Sequence, residues 1–330
     1  CSSDLPSAGP VWNTPPKMTF VNAAKGRKQQ VFSSQVALQA GQRTGVRSDI
    51  AVDKIVLPSG QPDIFLGVSI ICQDPSKNTV LDVEGGTNTW TSGIDFDIPV
   101  VGTFTAKTTG TYTCVTQLGI CDPGSCTSPK GQGSVTLLTE STNPDLYSFL
   151  FITGALPSWA MAMQIPKGND TLLTPGNSLP MTKAFDLTNA TGSIGIGSIV
   201  SLTNCTVANY PPACNGAKKM AVDGSAKVTV TITATQIAQV AGTKCATMTG
   251  PVQKQTVTWR EHHAVFDPLI RNFVLSNTPG CGQAVQVTTK VSVAKGGNSI
   301  VVEGGSKNVW ESATFVIPAN LVPPYVGMPV

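Results

Sequence analysis

The chain has 330 residues, of which 41% are hydrophobic and only 12% charged, with a net charge of +3. That length suits two or three domains, and the apolar share excludes a disordered chain. The charge is diffuse and the densest basic run, Lys25 to Lys28, is short, so no nucleic-acid partner is expected. Gly, Pro, Ser, Thr, Asn and Val are plentiful, and the helix formers never recur with a helical period, which points to an all-β protein.

Residues 1–17 hold Pro6, Pro10, Pro15 and Pro16 and few core residues, which predicts an extended N-terminal tail. Strands are predicted to begin at Lys17, Gln30, Asp49 and Ile64, the last ending at Cys72. The stretch Val83 to Pro99, VEGGTNTWTSGIDFDIP, returns as Val302 to Pro318, VEGGSKNVWESATFVIP. Its Gly-Gly steps, like Gly296-Gly297, read as hairpin turns. A fainter register relates 62–110 to 144–192. The apolar run from Ser148 to Ile165 is interrupted by Pro157 and falls short of the ~20 clean residues of a membrane helix, so two buried strands around a turn are expected. Lys227 to Thr235, KVTVTITAT, alternates most clearly.

These repeats predict three tandem β-sandwiches, at 18–127, 128–222 and 223–330, behind the tail. The first two copies continue past their Pro or its counterpart into a further strand. The third continues as ANLVPPYVGMPV and is expected to lack its last strand. Such an edge invites strand addition from another subunit, with the N-terminal tail as donor.

Gly110-Thr-Tyr112-Thr-Cys114 resembles the late strand of immunoglobulin-like domains, where a Tyr two residues before a Cys forms a corner. The resemblance covers the sandwich at 18–127, without the antibody topology, and implies a Cys72–Cys114 disulfide between two sheets; with the repeats, it makes the expected fold three tandem immunoglobulin-like β-sandwiches. It carries no activity.

Nine cysteines suit an exported protein, and none of them form the paired C-x-x-C of a zinc ribbon. Cys72, Cys114, Cys121, Cys126, Cys205, Cys214, Cys245 and Cys281 are disulfide candidates. Cys121 with Cys126 and Cys205 with Cys214 look like stapled hairpins, and Cys245 with Cys281 fits one domain. Cys1 opens the chain, followed by a short polar tail, a pattern that resembles a bacterial lipoprotein, so it is the lipidation candidate and the expected membrane link. Asn169, Asn189 and Asn204 open glycosylation sequons that matter if the source is eukaryotic.

Chemistry is harder to place. His262 and His263 are the only histidines; as strand neighbours they face opposite ways and cannot readily clamp one metal. No Gly-x-Ser-x-Gly elbow or calcium loop is present, and Gly192 to Gly197 has the wrong glycine order for a nucleotide loop. Trp90 and Trp310 sit at matching places of two repeats and read as core. No catalytic, cofactor-binding or metal residue is assigned. The expectation is a non-enzymatic structural or adhesive subunit of an extracellular or cell-surface assembly or filament, partnered by copies of itself through strand complementation. The alternative is a lipid-anchored module that binds a glycan or small ligand. A virion surface protein is less favoured, because four disulfides are unusual for assembly in a reducing cytoplasm.

Overall fold

Runs rich in Val, Ile, Thr and Phe, punctuated by Gly, Pro, Asn and Asp, give short extended segments throughout. The computed structural model describes residues 11–13, 19–21, 28–56, 64–89, 96–121, 134–138, 148–166, 168–205, 214, 224–258, 263–305 and 310–322. Apart from turns and 3-10 residues at Cys214 and Ala319–Leu321, the regular structure there is all strand. The first set comprises β1 (Val11–Asn13), β2 (Thr19–Val21), β3 (Gln29–Leu38), β4 (Arg43–Val56), β5 (Ile64–Gln73), β6 (Thr79–Thr89), β7 (Phe96–Thr105), β8 (Gly110–Cys121), β9 (Ser134–Leu137) and β10 (Phe149–Ile152). The second comprises β11 (Met161–Gln164), β12 (Thr171–Leu173), β13 (Ser178–Asp186), β14 (Ile194–Asn204), β15 (Ala226–Ala238), β16 (Thr247–Thr249), β17 (Gln253–Val257), β18 (His263–Phe266), β19 (Leu269–Phe273), β20 (Cys281–Val293), β21 (Ile300–Glu303) and β22 (Ala313–Pro318).

The first set makes a four-stranded sheet, β3-β8-β5-β6, and a six-stranded sheet, β1-β10-β4-β9-β2, with β7 also on β4. The second makes a five-stranded sheet, β13-β20-β15-β16, with β17 also on β15. Its seven-stranded sheet runs β11-β22-β14-β21-β12, with β18 and β19 also on β14. The two orders are the same order. β1 to β5 correspond to β11 to β15, the pair β16 and β17 to β6, the pair β18 and β19 to β7, and β20, β21 and β22 to β8, β9 and β10. Even the halves of the long strand match: β10 and β22 take the first part of β4 and β14, and β9 and β21 take the second. The chain is a tandem duplication of one β-sandwich.

Packing follows from this arrangement in four layers. β15 shows the burial of an outer strand, with Val228, Val230, Ile232 and Ala234 inward and Thr229, Thr231, Thr233 and Thr235 outward. β14 is buried at every position, and β4 from Thr44 to Val52. A strand covered on both faces has no solvent side. In β4 the side chains of Val46, Ile50 and Val52 enter the first core, while Gly45, Arg47, Asp49 and Ala51 alternate onto the other face. In β14 the side chains of Ile194 and Ile196 enter the second core. Gly195, Gly197 and Ser201 take its other face. The two central sheets therefore pack against each other, and the two smaller sheets lie outside.

This differs from three sandwiches. β9 and β10 pair with β4, so residues expected in a second domain complete the first sheet. β13 pairs with β20 and β14 with β21 and β22, across the expected boundary at 222/223. The break in the apolar run around Pro157 lies where one sandwich passes to the next, β10 and β11 being its two strands. The N-terminal stretch is not wholly a free tail, since Val11–Asn13 pairs with β10 as β11 pairs with β22. Nor does β22 lack a successor that the other copy has: it is the counterpart of β10. The missing last strand, one premise of strand complementation, is thereby lost, while residues 1–10 and 14–17 of the expected tail lie outside the described residues.

The tyrosine corner is present: the Tyr112 hydroxyl donates to the Thr108 carbonyl at 2.8 Å, and the ring is fully buried. The disulfide beside it departs from the immunoglobulin pattern. Cys72 and Cys114 are directly opposite on β5 and β8 in one sheet, with Cα atoms 4.1 Å apart, and do not join two sheets. The Gly85-Gly86 step also differs, lying inside β6 opposite Val68 and Gly67. A Cβ on Gly86 would stand 2.5 Å from the Phe65 ring, which covers the glycine in place of a side chain. Gly296, at φ 91°, does make the expected turn.

Candidate functional site at the junction of the two halves

The face-to-face packing of the central sheets buries charge. Arg47, 4% exposed on β4, donates through Nε and Nη2 to Asp49 Oδ2 at 3.2 and 3.1 Å. Its Nη2 also reaches Asp267 Oδ2 in the other half at 2.7 Å. Asp49 is two positions along the same strand and so shares Arg47's face. Asp267 sits between β18 and β19, its amide donating to Gln253 Oε1 at 2.8 Å. Burial works against the Arg47 charge, but Asp267 and Asp49 outweigh it and hold its pKa above the usual value. Next to Arg47 a cavity of ≈ 20 Å³ is bounded by Val101, Phe151, Phe315, Ile317 and Leu321. Space of that order holds about one water, not a substrate.

A second group of charges lies where the two Glu-Gly-Gly stretches meet. The Glu84 amide donates to the Trp310 carbonyl at 2.7 Å, and the Trp310 amide to the Asp82 carbonyl at 3.3 Å. A short parallel bridge thus ties β6 of one half to the segment before β22 of the other. Around it stand Glu84, paired with Lys28 at 2.9 Å, and Glu303, whose Oε1 is 3.4 Å from His263 Nδ1. Thr203 Oγ1 bonds both His263 and Glu303, and the His263 ring lies 5.1 Å from that of Phe65. Asp170 Oδ1 accepts from the amides of Gly304 and Gly305 at 3.1 and 3.3 Å. Glu311 is half-buried among them. Burial first, then Glu303, Asp170 and Glu84, push its pKa up to about 8. Burial, then Glu84, raises that of Asp82 too. Among the described residues no three His, Cys, Asp or Glu are grouped to hold a metal ion.

Six candidate cysteines form three disulfides, Cys72–Cys114, Cys205–Cys214 and Cys245–Cys281. They suit an oxidising compartment outside the cytoplasm. Cys1, Cys126 and the Cys121 side chain lie outside the described residues, as do His262 and Trp90. Asn169 and Asn189 are exposed. Asn204 is fully buried, its amide nitrogen donating to the Gly224 and Val257 carbonyls at 3.1 and 3.2 Å, so the folded chain offers no glycan acceptor there. Sequence reasoning missed Arg47, Asp49, Asp267 and Glu311. The available signal was Arg47-x-Asp49, opposite charges two positions apart and so on one face of a strand. No helix of the described residues is long and apolar enough to cross a membrane.

The fold is that of an all-β protein built as a pair of stacked β-sandwiches. No protein-family model matches the chain, and no curated protein does. Among solved structures, the VP2 subviral particle of infectious bursal disease virus aligns over 97% of this chain and 45% of its own, at 10% identity and a TM-score of 0.31. The chain thus spans less than half of that protein's length. The CBM22-1–CBM22-2 tandem domain of Paenibacillus barcinonensis Xyn10C aligns over 93% and 92%, at 7% identity and a TM-score of 0.26. A peptide-N(4)-(N-acetyl-β-D-glucosaminyl)asparagine amidase aligns over 92% and 100%, at 10% identity and a TM-score of 0.26. Likenesses this distant carry no activity to this chain.

Proposed function

We propose that the protein is a non-enzymatic structural subunit of an extracellular surface assembly, acting through contacts with other copies of itself. The observation that supports this reading is the use of both central sheets for mutual burial around Arg47 and Asp267. A block fixed in that way presents two outer sheets in a set relation to each other. The outer face of the five-stranded sheet is a hydroxyl surface, with Thr182, Thr288, Thr233 and Thr249 in one row across four strands. Thr182 and Thr288 approach to 3.0 Å, and Thr233 and Thr249 to 3.1 Å. Such a face suits flat, polar contacts of the kind found between subunits that assemble after folding. Negative-stain microscopy and sedimentation of the native material test the proposal. Regular particles or filaments are the expected outcome. Monodisperse single chains at the concentrations of the native source overturn it.

A further inference from the structure

The acidic groups at the junction outnumber the bases that face them. Glu311 is met by Glu303 from β21, Asp170 from the segment before β12, and Glu84 from β6, with Asp82 two positions from Glu84. Lys28 is engaged by Glu84, and His263 by Glu303 and Thr203. Five carboxyl groups thus face one lysine and one histidine. Like charge around the half-buried Glu311 carboxyl, which also accepts from the Gly305 amide, is relieved by a cation or by a proton. The carboxylates are not grouped as a metal cage. The proton remains.

The place matters as much as the charge. Glu311 follows Trp310, whose main chain makes the bridge to Asp82 and Glu84 of the other half. It precedes Ser312, whose Oγ accepts from the Ser201 amide at 2.9 Å and donates to the Glu303 carbonyl at 2.5 Å. A charge appearing at Glu311 therefore acts on the segment that fastens one half to the other. We propose that this segment is a proton-controlled latch: with Glu311 neutral the 310–312 strap lies on β6, and loss of its proton releases the strap and loosens the junction.

The sign follows from the raised carboxyl pKa. A group that binds its proton more tightly when folded, at about 8 here, than when unfolded, near 4.5, removes stability as pH rises between those values. The loss is complete above the folded value. The latch weakens as pH rises from about 4.5 to about 8 and is weakest above that.

Amide hydrogen exchange of the intact, disulfide-bonded chain tests this. Protection, taken relative to the unstructured rate at each pH, is expected to fall at least about tenfold at Glu84 and Trp310 between pH 6.5 and 9. Val230, in the middle of β15, is expected to keep its protection. Glu311→Gln, which fixes the neutral form, is expected to hold protection at Glu84 and Trp310 through pH 9. The proposal is overturned by the same loss in Glu311→Gln, by constant protection in the wild type, or by equal loss at Val230. Should Glu311→Gln fold poorly, Glu303→Gln removes the like charge that raises the Glu311 pKa most, and is expected to lower that pKa and shrink the loss of protection between pH 6.5 and 9. An undiminished loss there overturns it equally.

Discussion

Arg47 Nη2 and Asp267 Oδ2 meet at 2.7 Å although they are 220 positions apart, one in each half of the duplicated chain. Both are at least nine-tenths buried, and Asp49 shares the guanidinium. A buried pair of this kind is weak evidence of net stability, because desolvation offsets much of the attraction. Its removal from one side is another matter.

Arg47→Met is expected to destabilise the protein by about 3–5 kcal/mol, since it removes the guanidinium that two buried carboxylates share. Replacing the group together, as Arg47→Met with Asp49→Leu and Asp267→Leu, is expected to recover most of that loss. Urea unfolding of the single and triple variants checks this. A single variant within about 1 kcal/mol of wild type would show that the charges are reached by water.

The three disulfides close loops of different length, and their removal should rank accordingly. Cys72–Cys114 and Cys245–Cys281 span 42 and 36 positions, Cys205–Cys214 only 9. On chain entropy alone the two long loops contribute about 4 kcal/mol each and the short one about 2.5. Paired Cys→Ala variants, compared by denaturation midpoint, are expected to follow that order. A larger loss at Cys205–Cys214 would mean that its packing beneath Val301 outweighs loop closure.

Strand content was legible wherever one face meets solvent. KVTVTITAT alternates because the hydroxyls of β15 face water, so its burial matches its sequence. β14 reads as a strand from Ser193 to Leu202 but shows no alternation, since both faces are buried and the face toward the other half carries Gly195, Gly197 and Ser201 instead of large polar side chains. The start of β4 was placed at Asp49 for a similar reason: Arg47 and Asp49 look like surface residues and are not. The duplication was invisible to ungapped comparison because the two halves drift out of step. β3 and β13 begin at Gln29 and Ser178, but β8 and β20 begin at Gly110 and Cys281, and β6 is matched by two shorter strands. The visible repeat, VEGG to FxIP, links strands that are not counterparts. Its two copies meet in space at Val83 and Trp310 without sharing a position in the fold.

Asn204 separates a sequon from a site. Its amide satisfies two carbonyls from separate segments, and no room is left for a sugar. Expressed through a eukaryotic secretory pathway, the folded product is expected to carry glycan at Asn169 or Asn189 and none at Asn204. Peptide mass mapping reads this directly. Asn204→Ala is expected to lose about 1–3 kcal/mol, because two buried acceptors lose their donor. Glycan at Asn204 in folded material would contradict the buried placement.

Gly197 offers the sharpest test of the face-to-face packing. It pairs with Phe315 of β22 and Leu269 of β19, and the Phe315 ring lies where a Cβ on Gly197 would stand. The backbone there is ordinary strand, so the glycine is required by space and not by conformation. Gly197→Ala is expected to push the ring toward Val101 and the small cavity beside Arg47, and to cost about 1–3 kcal/mol as overpacking does. Gly45→Ala, on the corresponding strand, meets only the side-chain ends of Leu156 and Thr153 at 3.2 Å and is expected to cost less. Thermal unfolding of both variants at one pH checks the order. If Gly197→Ala melts with the wild type, Phe315 has room to move, and the two central sheets are packed less closely than the Arg47–Asp267 contact implies.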